Sequence, residues 1–205
     1  DFWDNLAEQY AAKPVDDPDA FERKIEITRS HLRSDHTVLN IGCGTGSLSL
    51  RLAASGADLH GLDVSPEMLR IAEEKARTQG VNNVTFHQGP FDKDFNTFGP
   101  ESLDGVLAFS ILHLLEDRPA ALAQIYSMLK PGGFFISSTV CLGESMVPYR
   151  PMLWVMRLLG KAPMVKIVSK QALADEMAAA GFVNIQPTDV GAKPIIGFVV
   201  AYKPE

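Results

Sequence analysis

Cysteine is scarce: Cys43 and Cys141 are the two thiols in 205 residues, so no framework of several disulfides holds this chain together. Zinc spacing is missing as well, because His31, His36, His60, His87 and His113 are scattered, and no metal is expected. Long apolar runs are lacking. None approaches the ~20 residues that a bilayer-spanning helix needs. Positive charge is short too: 19 Lys and Arg stand against 25 Asp and Glu, and the net charge of −6 excludes the broad basic surface that nucleic acid requires. No internal repeat, low-complexity run or linker divides the sequence. These absences leave one domain over 1–205, a reducing cytoplasmic compartment and a small-molecule partner. The sequence sets no oligomeric state.

What is present is alternation. From Thr37 onward short β-branched runs alternate with helical patterns, the signal of a parallel sheet covered on both faces. Strands are predicted at 38–41, 59–62, 84–87, 103–109 and 134–140, with helices at 47–54, 66–79, 118–129 and 170–180. Ser65 followed by Pro66 reads as a helix start, and Gly56, Gly80 and the Pro131-Gly132-Gly133 turn as stops. Two last strands, 183–188 and 195–202, are joined too briefly for a parallel crossover and must be antiparallel. Residues 1–36, with Phe2, Trp3, Leu6 and Tyr10 and then a periodic stretch over 21–32, form one or two lid helices. Residues 141–168 break the rhythm and read as an inserted cap.

The chemistry centres on Gly42, Gly44 and Gly46, which lie between the first strand and its helix. Glycine is required where the chain turns sharply and a ligand approaches the backbone. Asp63 follows at the end of the second strand, beside that turn in a doubly wound sheet, where a carboxylate accepts hydrogen bonds from ribose hydroxyls. A glycine turn alone is often only a turn. The order strand, turn, helix, strand, acid is what marks a nucleotide site. Spacing then separates two nucleotide classes: dinucleotide enzymes show G-x-G-x-x-G, whereas here the pattern is G-x-G-x-G with Ser47 at the third position.

At these residues the chain resembles the class I S-adenosylmethionine-dependent methyltransferases, especially the small-molecule and quinone-type branch. NIGCGTG (40–46) is similar to their cofactor loop, GLDVSPEML (61–69) to the ribose acid and its helix, LDGVLAFSILHLLED (103–117) to the fourth-strand motif, and LKPGGFFI (129–136) to the turn into the fifth strand. The resemblance implies an α/β, Rossmann-like, seven-stranded sheet of order 3-2-1-4-5-7-6 with strand 7 antiparallel. It implies S-adenosylmethionine as cofactor, with Gly42, Cys43 and Gly44 around its methionine portion and Asp63 on the ribose. Val64 and Met68 would lie against the adenine, although Met68 is equally ordinary helix packing. Ala108, Phe109 and Ser110 would line the methionine part and the acceptor entrance. Two positions depart from the pattern: Asn40 stands where relatives carry an acid, and Pro90 where they place an Asp for the adenine amino group. Asp92 or a stacking Phe91 would take the second role.

A methyl sulfonium is already activated, so alignment with the acceptor and exclusion of water are the main tasks. If a base is needed, His113 and Tyr10 are the candidates; packing and lid closure are their plainer roles. Nothing near Cys141 in the sequence suggests an activated thiolate. The acceptor pocket is expected in the cap, where Met146, Met152, Met156 and Met164 join Tyr149 and Trp154 in an adaptable apolar surface. Over 140–170, Arg150, Arg157, Lys161, Lys166 and Lys170 against Glu144 give +4 while the rest of the chain carries −10, which suits an acidic head group or, less expectedly, a membrane surface. Two alternatives stay open: a regulatory module that binds S-adenosylmethionine without catalysis, and an NAD-dependent oxidoreductase.

Overall fold

The computed structural model describes residues 2–145, 149–158 and 165–205. Seven strands form one sheet: β1 (Thr37–Ile41), β2 (Asp58–Asp63), β3 (Val84–Gln88), β4 (Leu103–Phe109), β5 (Leu129–Val140), β6 (Val183–Pro187) and β7 (Ile196–Tyr202). Their spatial order is β3-β2-β1-β4-β5-β7-β6. The pairs from β3 to β5 are parallel, and β7 runs antiparallel to both β5 and β6. The order reverses between β1 and β4. That is where an open α/β sheet leaves a crevice at the carboxyl ends of its strands.

Alternation along each strand feeds two cores. Leu39, Ile41, Val106, Ala108 and Phe135 face α5 (Arg118–Met128) and α7 (Lys170–Ala179), while Val38, Leu107, Phe134, Ile136 and Phe198 face α2 (Pro18–Ser30) and α3 (Ser47–Leu52). Burial on both faces explains why these strands read as continuous apolar runs. The N-terminal segment resolves into two helices, α1 (Phe2–Ala12) and α2. α1 lies on α4 (Pro66–Gln79), where Ala7 packs with Met68 and Ile71 and the Arg70 guanidinium reaches Glu8 at 2.6 Å. Ser65 caps α4, its hydroxyl accepting the Met68 N–H at 3.2 Å, and donates to Asp4 of α1 at 2.5 Å.

Three local readings need correction. The helix expected over 47–54 ends at Leu52 and tightens into a 3₁₀ turn at Ala53–Ser55, which the left-handed Gly56 terminates. α5 stops at Met128, because Leu129 is already extended and pairs with Leu103. The fifth strand therefore begins before the Pro131-Gly132-Gly133 segment. The register jumps there from Leu103↔Leu129 to Gly105↔Phe134, so the segment bulges out of the ladder, as a proline without an N–H requires. The inserted segment contains α6 (Tyr149–Leu158), and its ends are tied together by the Gly143 N–H to Val168 carbonyl bond at 2.9 Å. Met146, Lys161 and Met164 lie outside the described residues.

Candidate active site

The glycine turn hangs from the end of β1. The Gly42 and Cys43 N–H groups both donate to the Leu62 carbonyl of β2, at 2.8 and 3.0 Å, which folds the turn back over the strand ends. Gly42, Gly44 and Gly46 all have left-handed φ, between 54° and 74°. At Gly46 the reason is packing: a Cβ would sit 2.9 Å from that of Ala72 and 3.1 Å from the Phe86 ring. At Gly44 the reason is space. The nearest atom to its missing Cβ is Tyr10 Cε1 at 3.8 Å, so the turn opens on a cavity instead of a packed helix.

Asp63 closes the arrangement. Its Oδ2 accepts the Gly44 N–H at 2.8 Å and its Oδ1 accepts the Ser65 N–H at 3.0 Å. Each carboxylate oxygen has two lone pairs, so one on each oxygen remains for a ligand. The carboxylate is thus oriented from behind by backbone and presents two acceptors forward.

Two adjoining cavities meet at this point, sharing Tyr10, Gly42, Gly44, Phe109 and Ser110. The first, of about 380 Å³, is lined by Asp63, Val64, Met68, Pro90, Phe91 and Asp92, with Trp3 above it. The second, of about 500 Å³, lies beyond the turn and is bounded by Asn40, Cys43, Ser138, the chain around Lys193 and the inner side of α2. Ser110, at the seam, is held at φ 59° by a 2.7 Å bond from its N–H to the Ser138 carbonyl. A non-glycine residue in that conformation at a cavity junction is backbone strain located at a candidate site.

Several expected residues thus converge on the two cavities: Tyr10, Asn40, Gly42, Cys43, Gly44, Asp63, Val64, Met68, Pro90, Phe91 and Ser110. Asn40 is buried and its amide donates to Ser49 Oγ at 3.0 Å, leaving the amide oxygen toward other partners. Cys43 packs its sulfur against Gly61, and burial followed by the charge of Asp63 pushes its thiol pKa up, so it is not a nucleophile. Cys141 is fully buried. Tyr10 is 54% exposed at the cavity mouth; partial desolvation, with the Asp63 charge adding to it, raises its phenol above the usual pKa, so Tyr10 is a hydrogen-bond donor at neutral pH.

Other expected residues lie elsewhere. Ala108 points into the core beneath the sheet and lines neither described cavity; the next residue, Phe109, faces the opposite way and lines both. His113 lies in the turn after β4, 8% exposed, with Nδ1 lacking a hydrogen-bond partner among the described residues. Burial, helped by the positive Arg118, lowers its pKa to about 4. It lines neither cavity. Tyr149 and Met156 are half-buried on α6 and Trp154 is 65% exposed, and none of the three lines either described cavity. In their place the structure brings in Phe21 and Lys24 of α2, Ile111 and Leu114 after β4, and Lys193. Lys24 carried a signal in the sequence: it falls on the stripe of Phe21, Ile25 and Thr28, where a helix turned inward carries apolar or small residues. Among the described residues no group of three or more His, Cys, Asp or Glu could hold a metal ion.

A doubly wound sheet, a left-handed glycine turn and an acid at the end of the neighbouring strand define a nucleotide-binding α/β protein. Residues 32–180 match the model of the methyltransferase domain family, and the chain belongs to that family, within the class I S-adenosylmethionine-dependent group. It is 29% identical over 192 residues to the O-methyltransferase cnsE of Penicillium expansum, a match covering 92% of this chain and 66% of the relative. It is 30% identical over 174 residues to the ubiquinone biosynthesis O-methyltransferase of Methylobacterium nodulans, covering 78% and 65%. The chain spans about half to two thirds of the length of the first curated relatives it matches. The Haemonchus contortus phosphoethanolamine N-methyltransferase 2, solved with S-adenosylmethionine, shares the fold at a TM-score of 0.75 and 17% identity, over 90% of this chain and 53% of that one. Neither the oxidoreductase nor the non-catalytic module is favoured by these relatives.

Proposed function

We propose that this protein transfers the methyl group of S-adenosylmethionine to a small-molecule acceptor, with the adenosine end of the cofactor in the cavity at Asp63 and the methionine end beyond Gly44. The observation that carries the reading is the Asp63 carboxylate: two backbone N–H groups orient it, and each oxygen keeps a lone pair for one hydroxyl of a ribose. The rest of the cavity fits the same molecule. Val64, Met68 and Phe91 offer apolar surface to a purine, and the open side of Gly44 admits a ligand where any side chain would intrude.

The cofactor supplies an electrophilic methyl on a sulfonium. What the protein adds is position. Asp63 fixes the sugar, the glycine turn sets how closely the sulfur end approaches the backbone, and Tyr10 of α1 borders the open side of Gly44 where the two cavities meet. The acceptor enters through the second cavity, past Phe109 and Ser110. His113 takes a packing role: held neutral and away from both cavities, it orders the turn after β4, and its carbonyl accepts the Lys166 N–H at 2.7 Å. We assign α6 to the outer approach to the acceptor on the apolar character of Met152, Trp154 and Met156, although it lines neither described cavity. Several relatives are named O-methyltransferases, which favours a hydroxyl as the accepting group, and the compartment we assign to the reaction is the cytoplasm.

Isothermal calorimetry with S-adenosylhomocysteine, followed by transfer of label from methyl-labelled cofactor to extract metabolites, tests this reading. Binding that is lost in Asp63→Ala together with a labelled small molecule supports it; a folded wild-type protein that binds neither form of the cofactor overturns it.

A further inference from the structure

The sheet edge beside the first cavity carries an imidazole pair. His60 of β2 and His87 of β3 stack at 5.2 Å between ring centroids, and His60 Nδ1 lies 2.9 Å from His87 Nε2. The other nitrogen of His60, Nε2, is 3.1 Å from Asp58 Oδ2. An ionised carboxylate only accepts, so in the neutral pair His60 Nε2 donates to Asp58, His60 Nδ1 accepts and His87 Nε2 donates to it. One added proton keeps the bond: it sits on His60 Nδ1, next to the charge of Asp58, and His87 Nε2 becomes the acceptor. A second added proton breaks it, because two N–H groups on two cations would then face each other.

Aromatic contacts join this pair to the cavity. Among the described residues no helix separates β3 from β4, and the 89–102 loop lays Phe98 on the pair, nearly perpendicular to His60 at 4.9 Å and to His87 at 6.0 Å. Phe95 lies 6.3 Å from Phe98 and 5.4 Å from Phe91, and Phe91 lines the first cavity. His87 also stands two residues before Gly89, whose N–H donates to the Asp63 carbonyl at 2.9 Å. Asp58 is the charged group that faces the pair. On the loop, Lys93 pairs with Asp94 at 3.1 Å and Asp92 accepts the Asp94 N–H at 2.9 Å, while the neighbours of His60 on β1 and β3 are Leu39 and Thr85, and that of His87 on β2 is Leu62.

We propose that the His60–His87 bond positions the adenine wall of the first cavity: it holds Phe98, and through Phe95 it holds Phe91, so that a second proton on the pair loosens the wall and weakens cofactor binding. The inference rests on the reading that this cavity takes the adenosine end. Both histidines are positioning residues, since neither lines a described cavity. Burial, with His60 adding to it, lowers the His87 pKa below its ordinary 6.5. The paired arrangement is therefore complete above that value and is lost as pH falls below it.

Calorimetry on the full chain with two probes, S-adenosylhomocysteine and 5′-methylthioadenosine, tests the proposal. Both carry the adenosine, and the second lacks the amino-acid portion. Each titration is run below the melting range of the protein at that pH. The wild type is expected to lose about tenfold in affinity for both probes between about pH 7.5 and about pH 5.5. His87→Gln keeps an N–H donor near the Nε2 position and takes no proton, so it should lose less than about threefold over the same range. Phe98→Ala should bind both probes near pH 7.5 as weakly as the wild type does near pH 5.5, with a flat profile. If His87→Gln falls as steeply as the wild type, if the wild type is flat, or if S-adenosylhomocysteine alone is weakened, the proposal is overturned while the cavity assignment stands. If the wild type binds neither probe near pH 7.5, the adenosine reading fails, and this proposal fails with it.

Discussion

The Gly44 N–H donates to the Asp63 carboxylate at 2.8 Å, which makes the glycine turn and the ribose acid one mechanical unit. The turn cannot shift without dragging the carboxylate, and the carboxylate cannot rotate without releasing the turn. Ser65 holds the other oxygen, so the acid is oriented before any ligand arrives. Preorganisation of this kind reduces the ordering cost that binding would otherwise incur.

Asp63→Ala should therefore do more than remove two hydroxyl contacts. Hydrogen bonds to a charged acceptor are worth about 1.5 to 3 kcal/mol each, and the Gly44 and Ser65 N–H groups also lose their partner. Affinity for S-adenosylhomocysteine is expected to fall at least tens-fold by calorimetry. Asp63→Asn should fall between, since one oxygen remains while its amide N–H opposes a backbone donor. Wild-type affinity in a folded Asp63→Ala protein would remove the ribose assignment.

Gly44→Ala and Gly46→Ala separate ligand space from packing. Both pay about 1 kcal/mol for a left-handed φ. Gly46→Ala must in addition push against Ala72 and Phe86, whereas Gly44→Ala meets nothing closer than 3.8 Å. Thermal melts should show the larger loss at Gly46, and calorimetry should show weaker S-adenosylhomocysteine binding in Gly44→Ala even though that protein is the more stable. Equal melting losses with unchanged binding at Gly44 would mean that the turn serves packing alone.

His113 links burial to pH. Its folded pKa of about 4 lies below the ordinary 6.5, so between those values the unfolded chain takes up a proton that the folded chain refuses. Stability from this group is complete above pH 6.5 and declines as pH falls toward 4. The lost contribution amounts to a few kcal/mol at most. His113→Phe should flatten that part of the stability profile, with S-adenosylhomocysteine affinity unchanged at pH 7.5. A turnover loss of 10² or more at unchanged cofactor affinity and stability would restore the general-base role instead.

Trp154 is 65% exposed, so Trp154→Ala should change stability by no more than about 0.5 kcal/mol and leave cofactor affinity untouched. A rise in acceptor KM at constant melting temperature is the expected sign that α6 borders the acceptor. A melting loss of several degrees would show that the indole packs on the body of the protein.

How much of this was legible beforehand depended on the range of the interaction. The positions of the strands and the antiparallel pairing of the last two followed from local runs and from the short connection before Ile196, which are written in consecutive residues, whereas the spatial order of the sheet came from the family resemblance. The glycine turn and Asp63 were equally visible, since sheet geometry brings the ends of β1 and β2 together. Ala108 and Phe109 were not separable in the same way: in a strand buried on both faces, apolar character does not say which face a residue takes, and the alternation alone placed Ala108 in the core. His113 was adjacent in sequence to the site, yet it is turned inward beside Arg118. Lys24 required the opposite reading. Its charge reads as a surface residue, and only its place on the inward stripe with Phe21, Ile25 and Thr28 signals that α2 turns it toward the sheet.

The most direct test is to incubate the protein with methyl-labelled S-adenosylmethionine and cell extract and to identify the labelled product by mass. The account predicts one small, hydroxyl-bearing molecule that acquires the label with the wild type, and at least tens-fold less of it with Asp63→Ala. Tight binding of S-adenosylhomocysteine without label in any extract component would contradict methyl transfer and leave a binding protein in its place.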